Sequence, residues 1–369
     1  MEKQQIVTLA HKMENKYDLL ILLNRIKQDE MAEMGYIDKH PFTIKQINYY
    51  CNPKNELHRY KQFKIKKKTG GFRLITAPKT LSFLLILKYL NFILKSIYTP
   101  SKYSMGFTEG RSVITNANAH IGQNYVFNID IKDFFPSIEQ ARVWKRLQLK
   151  PFYFSIPVAN VIAGLCSMKE VRKFEDGSKK EFFVLPQGAP TSPIITNMIC
   201  DKLDHRLAGL AKRFGIHYTR YADDITFSSK HNVYHVNGEF IKELNRIILD
   251  QGFKINDKKT RLQKLGSRQE VTGITVNSKL NVTPRYVRNI RNILYIWDRY
   301  GYDVAYKNFF IKYIEEKGYI KKGIPNMVNV IEGKLMYLKM IKGEEDSVYI
   351  KLHNKFIMLY EKTFDKKKT

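Results

Sequence analysis

The sequence predicts an α+β protein with strand signals, one of them a tight hairpin, in the middle of the chain and helical stretches around them. Three observations carry this. "NYVFNIDIKDFF", from Asn124, alternates apolar and polar residues as a strand does; the strand signals "HYTRYA" and "ITFSS" flank Asp223 and Asp224; and helical periodicity dominates the chain before and after them. A length of 369 residues and 44% hydrophobic content are enough for two or three structural units with extensive cores.

In chain order, residues 1 to about 50 read as helical pieces punctuated by Pro41 and Pro53. Between Lys54 and Lys79 there are nine Lys or Arg and one acid, Glu56, with a break at Gly70 and Gly71, the pattern of a basic hairpin. "LSFLLILKYLNFILKSIY", Leu81 to Tyr98, is interrupted by Lys88 and barely long enough to span a bilayer, so a buried helix is expected and no membrane partner. The alternating strand then delivers Asp130 near its end, before Pro136. "KEFFVLPQGAPTSP" is a second strand candidate running into a Pro/Gly turn, followed by a helix from Ile194 to Phe214.

Neighbouring residues of a strand point to opposite faces, so two adjacent aspartates inside one strand could not serve one site. A tight hairpin with Asp223 and Asp224 at its turn removes that obstacle. From Thr283 the pattern is helical again: Thr283 caps, Pro284 suits the first turn, and Val287, Ile290, Leu294 and Trp297 recur on one face. Arg285, Arg288 and Arg291 run along the neighbouring face, where guanidiniums suit a phosphate backbone or simply face solvent.

Lys and Arg total 63 against 35 acids, a net charge of +28 that implies an anionic partner, nucleic acid before membrane. Cys51, Cys166 and Cys200 are scattered without CxxC spacing, which suggests neither a zinc site nor a disulfide framework and fits a reducing cytosol. The N-terminus lacks the apolar core of a signal peptide, so a cytoplasmic location is expected. Against this basic background, three gathered carboxylates would repel unless cations balanced them. Magnesium prefers such oxygen ligands, and a pair of ions held by Asp130, Asp223 and Asp224 would suit phosphoryl transfer.

Four blocks in order resemble the reverse transcriptases: "NIDIKDFFPSI" from Asn128, "LPQGAPTSP" from Leu185, "YADD" from Tyr221 and "GFKINDKKT" from Gly252. Within that family, "NANAH" (Asn116 to His120) resembles the NAxxH motif of the retron type and "VTG" (Val271, Thr272, Gly273) its VTG motif. The resemblance implies a right-hand polymerase: a helical N-terminal segment over 1–50, fingers with the basic hairpin over 51–125, a palm over 126–282 with a fingers insertion around 140–185, and a basic helical thumb over 283–369.

The same resemblance implies roles. Asp130 and Asp223 would hold two magnesium ions, with manganese as an in vitro substitute; Asp224 would support them and the carbonyl of Ile131 would be a further ligand. Asp133, Gln187, Gly188 and Tyr221 would surround the incoming deoxynucleoside triphosphate, and Arg73, with Lys66 or Lys67, would grip its phosphates. Phe135 would block a ribose 2′-hydroxyl, with Phe134 as the core phenylalanine. Lys259, rather than Lys258, would protonate departing pyrophosphate. Asn116 and His120, with the VTG residues, would serve a retron-specific structural or RNA-contact role. The implied partners are a cognate structured non-coding RNA, its DNA product and a separate effector or toxin protein in antiphage defence. Two alternatives stay open on the sequence: another bacterial reverse transcriptase (group II intron-like, diversity-generating or abortive-infection type), and a catalytically inactive RNA-binding relative.

Overall fold

The computed structural model describes residues 1–38, 40–66, 70–317, 323 and 325–364; Lys67 and the terminal "DKKKT" lie outside the described residues. Helices α1 (Lys3–His11), α2 (Lys16–Glu33) and α3 (Ile44–Tyr50) open the chain. Asn15 and Thr43 cap α2 and α3, each in a reciprocal capping box with Asp18 and Gln46. Strands β1 (Tyr60–Lys66) and β2 (Phe72–Pro78) form the expected basic hairpin. Helix α4 (Leu81–Ile97) starts at the Thr80 cap and buries Phe83, Ile86, Leu87, Leu90, Ile93 and Leu94, the stripe its helical spacing dictates. Among the described residues no helix is long and apolar enough to cross a membrane.

Next come α5 (Val113–Asn118), β3 (Tyr125–Asp130), α6 (Gln140–Leu147) and α7 (Ile156–Cys166). Strands β4 (Met168–Lys173) and β5 (Lys179–Val184) pair only with each other, so "KEFFV" belongs to a separate hairpin rather than to the central sheet. Helix α8 (Ser192–Arg213), β6 (His217–Tyr221), β7 (Asp224–Ser229), α9 (Glu239–Asp250), β8 (Arg261–Lys264) and the small hairpin β9 (Glu270–Val271) and β10 (Ile274–Thr275) follow. Helices α10 (Pro284–Tyr300), α11 (Tyr302–Lys317), α12 (Met327–Lys342) and α13 (Ser347–Phe364) complete the described chain.

The central sheet is antiparallel, in the order β6-β7-β3-β8. Its alternation sorts two faces. Tyr218, Phe227 and Phe127 pack towards α8 and α9, where Phe227 meets Phe240 edge-on at 5.1 Å. The opposite face carries Asn128, Asp130, Asp224, Thr226 and Ser228, a polar row that a purely structural sheet would not need. A second hydrophobic core joins α10, α12 and α13 through Ile290, Leu294, Trp297, Leu335 and Leu352, and it also takes in Ala117, Val126, Val271 and Ile274. The helical C-terminal unit therefore packs onto α5 and the β9–β10 hairpin, not onto the sheet edge alone.

Candidate active site

Strands β6 and β7 are joined through Ala222 and Asp223, with Tyr221 opposite Asp224. Ala222 adopts φ 58°, the left-handed conformation that lets a two-residue hairpin follow the sheet twist. Asp223 is thus the turn acid, whereas Asp224 is the first residue of β7 rather than part of the turn. Because only Asp224 obeys strand alternation, the adjacent pair can face one site. Asp224 pairs with Asp130 across the sheet, and the amide of Ile131 donates to the Asp223 carbonyl at 3.0 Å. The backbone therefore gathers all three aspartates at one end of the polar face.

The side chain of Asp130 is buried, and both its oxygens are engaged. Asn256 Nδ2 donates to Oδ1 at 2.9 Å and Lys259 Nζ to Oδ2 at 2.8 Å. Burial opposes the charge on Lys259, but the Asp130 hydrogen bond, with Asp130, Asp223 and Asp224 nearby, raises its pKa. Desolvation, followed by the Asp130 charge, raises the pKa of Asp223, while Lys259 and Arg73 pull it back. Although the Asp224 side chain reaches solvent, the protein around it withdraws enough hydration, with Asp223 and Asp130 adding repulsion, to push its pKa up to about 6.

These raised values mark negative charge that a cation would relieve, and carboxylate oxygens are the donors that hard divalent ions prefer. The donor chemistry fits. Yet among the described residues no group of three or more His, Cys, Asp or Glu side chains converges closely enough to hold a metal ion. The backbone gathers the three aspartates, while Lys259 and Asn256 engage the two Asp130 oxygens. Ile131 is buried beneath the acids.

The residues expected around a nucleotide lie on four parts of the chain: the β1–β2 hairpin, the turn before α8, the segment after β3 and the end of β6. Arg73, opposite Ile65 in the β1–β2 hairpin, is exposed and near enough to act on Asp223; Lys66 is exposed at the end of β1. Gln187 is half-buried and its carbonyl accepts from the Thr76 amide at 2.8 Å. Gly188 has φ 133°, and a Cβ there would lie 2.9 Å from both Ile75 Cγ2 and the Thr76 carbonyl oxygen. Its missing side chain therefore admits strand β2, and Gly188 itself stays exposed. Phe134 is core, whereas Phe135 is half-buried and packs beside Phe107 at 6.4 Å. Asp133 is exposed with φ 48°, and its carbonyl accepts from the Ser137 amide at 2.8 Å. Tyr221 is half-buried at the end of β6.

His120 is fully buried. Its Nε2 lies 2.7 Å from Thr219 Oγ1 and its Nδ1 2.6 Å from Ser228 Oγ. Thr219 donates its hydroxyl proton to Asn116 Oδ1 at 2.6 Å, so its oxygen must accept from Nε2–H, which leaves Nδ1 to accept from Ser228. Burial holds this neutral ring's pKa down at about 3. The direct RNA contact left open for His120 is thereby corrected: no part of the ring is accessible. Asn116 Nδ2 extends the chain to Thr272 Oγ1 at 3.4 Å. Thr272 and Gly273 form the β9–β10 turn with φ 47° and 84°, as a two-residue hairpin with two left-handed positions requires, and Val271 enters the second core. The two short motifs are thus joined through Asn116 and Thr272. Arg285, Arg288 and Arg291 are exposed on α10, and Arg285 borders a cavity of about 350 Å³ with Asn289, Asn292, Asn308 and Lys312.

Sequence reasoning missed three residues that shape the site. Asn256 sits inside the "GFKINDKKT" block but carries no charge to attract notice. Arg220, immediately before Tyr221, is fully buried and bound by both ends of the Asp204 carboxylate, at 2.6 and 2.7 Å. Gly106 lies under the acid turn, where a Cβ would be 2.6 Å from the Ala222 nitrogen. For Arg220 the available signal was a lone arginine among the aromatic and β-branched residues of the strand "HYTRY".

Residues 65–279 match the family described as reverse transcriptase (RNA-dependent DNA polymerase). The chain belongs to the reverse transcriptase family. Its resemblance to the retron type is borne out by curated relatives: the Retron Mx65 reverse transcriptase of Myxococcus xanthus is 37% identical over 73% of this chain and 62% of its own length. The Retron Ec86 reverse transcriptase of Escherichia coli is 33% identical over 60% of this chain and 64% of its own. The chain thus spans somewhat under two thirds of these relatives. Among solved structures, a telomerase from Candida albicans in complex with a fragment of telomeric RNA overlaps 94% of this chain and 68% of its own at 11% identity and a TM-score of 0.43, a likeness too loose to bear on the site.

Proposed function

We propose that this chain is an RNA-directed DNA polymerase of the retron type, which copies a cognate structured non-coding RNA into single-stranded DNA. The observation that carries the reading is the sheet register that sets Asp130 opposite Asp224, with Asp223 on the adjoining turn. In this reading the β1–β2 hairpin belongs to the fingers, the central sheet to the palm and α10–α13 to the thumb. Asp130, Asp223 and Asp224 would hold magnesium, which when bound would supply charge neutralisation and orientation at the reacting phosphate. Arg73 offers a planar fork to phosphate oxygens, and Phe135 stands beside the sugar as the gate against a 2′-hydroxyl. Lys259 is placed to carry a proton to the leaving group once Asp130 releases it. The exposed arginines of α10 bind the RNA backbone, consistent with the +28 charge. Priming from an RNA 2′-hydroxyl, a cytoplasmic location and service in antiphage defence with a separate effector belong to the same reading and rest on the motif resemblance to the retron type alone.

Purified protein with its co-purified RNA, magnesium and deoxynucleotides is expected to yield alkali-resistant DNA. Asp223→Ala is expected to abolish synthesis while leaving the circular dichroism spectrum and melting curve intact. Equal synthesis by that variant rejects the metal role, and an absence of synthesis by the unmodified protein with its own RNA favours an RNA-binding relative.

A further inference from the structure

Asp223 stands on a turn, and a turn alone does not hold a carboxylate still. Its two flanking peptides are both fixed. The Asp223 carbonyl accepts from Ile131, and the preceding Ala222 carbonyl accepts from Arg220 Nη1 at 3.1 Å. The guanidinium is anchored in turn: Nε and Nη2 grip the two oxygens of Asp204 on α8, and Nη2 also lies 3.2 Å from Ser104 Oγ and 3.3 Å from Asn197 Oδ1. Asn197 Nδ2 donates to the Gly106 carbonyl at 3.0 Å, and Tyr218 Oη donates to Asp204 at 2.7 Å. The segment carrying Ser104 and Gly106 runs beside β6, its backbone exchanging bonds with Arg220 at 2.7 and 2.9 Å.

Burying an ion pair stabilises little relative to apolar residues of similar shape, so stability alone explains poorly why so much polarity sits beneath the acids. A rigid bidentate fork with a spare donor aimed at a turn carbonyl is suited to holding geometry.

We infer that Arg220, anchored by Asp204, is the positioning residue of the acid turn: through the Ala222 carbonyl it sets the Ala222–Asp223 peptide and so aims the Asp223 carboxylate at the metal site. Arg220 touches neither substrate nor metal and acts only through that peptide. The inference rests on the metal-binding reading of Asp223.

Two variants test it. Arg220→Lys keeps the charge but cannot grip Asp204 with a fork and reach Ala222 at once. Arg220→Gln combined with Asp204→Asn removes both buried charges together, which guards against loss of fold from an unpaired ion. Manganese binding to nucleotide-free protein is followed by electron paramagnetic resonance, alongside kcat, the KM for deoxynucleotide, RNA affinity and melting. Both variants are expected to fold and bind RNA as the unmodified protein does. Manganese affinity should fall roughly tenfold and kcat on the order of a hundredfold, with KM little changed, as misplacement of a reacting group by about 1 Å predicts. Folded variants with unaltered manganese affinity and kcat overturn the inference. So does a kcat loss that merely tracks the unfolded fraction. Asp223→Ala is the control: if it too leaves manganese binding unchanged, the metal reading of Asp223 fails, whereas weakened binding in Asp223→Ala with none in the Arg220 variants refutes the positioning role alone.

Discussion

Replacement of His120 by glutamine reads out the buried network beneath the sheet through its dependence on pH. The ring is fully buried, neutral and held by two hydroxyls, with its pKa down at about 3 against an unfolded value near about 6.5. Between those values the unfolded chain binds a proton that the folded one refuses, so stability rises with pH across the window and falls on acidification. Above the unfolded value the group contributes no pH dependence. At pH 5 the shift amounts to about 2 kcal/mol of lost stability relative to neutral pH. At neutral pH His120→Gln should cost about 1–3 kcal/mol, since an amide cannot match both hydroxyls at the ring's spacing. The variant lacks the proton linkage, so the gap between the two proteins should narrow by about 2 kcal/mol at pH 5. Urea unfolding at pH 7.5, 6 and 5 measures the gap. Selective ¹⁵N labelling of the nine histidines provides a direct check, because one ring should stay neutral throughout. A gap independent of pH, or a His120 resonance titrating near its ordinary value, refutes the buried-network account.

Gly106→Ala should drive a methyl into the Ala222 nitrogen, lowering stability by about 1–3 kcal/mol and reducing kcat; melting and single-turnover synthesis measure both. Arg73→Lys should lower kcat/KM for deoxynucleotides roughly ten- to hundredfold without changing RNA affinity, read by steady-state kinetics. Phe135→Val should raise ribonucleotide incorporation relative to deoxyribonucleotide roughly tenfold or more, scored by alkaline cleavage of the product, and an unchanged ratio removes the gate. Converting Arg285, Arg288 and Arg291 to glutamine should reduce the slope of log affinity against log salt by about 2–3 if each meets one phosphate.

The central strands and the helices at Leu81, Ser192 and Pro284 were legible because each element's apolar period agrees with its final packing. The hairpin at Asp223 was legible from two β-branched and aromatic runs so close together that only a tight turn fits between them. The edge strand β8 was not, since three of its four residues are polar or charged and it borrows its order from β3. Helix α9 went unread between the two acid-bearing blocks, although Phe240, Leu244, Ile247 and Ile248 mark its buried face. Asn256 and Arg220 escaped for another reason: hydrogen bonds to partners 126 and 16 residues away leave no periodic trace along the chain.

The bond from the Thr76 amide to the Gln187 carbonyl, with Gly188 pressed against the same strand, makes one lever of the β1–β2 hairpin and the turn before α8. Arg73 rides three residues from that fulcrum. If Arg73 grips the triphosphate as proposed, a compound wedged against Gln187 would tilt it, and resistance to such a wedge should arise at Ile75, between the pivot and the arginine.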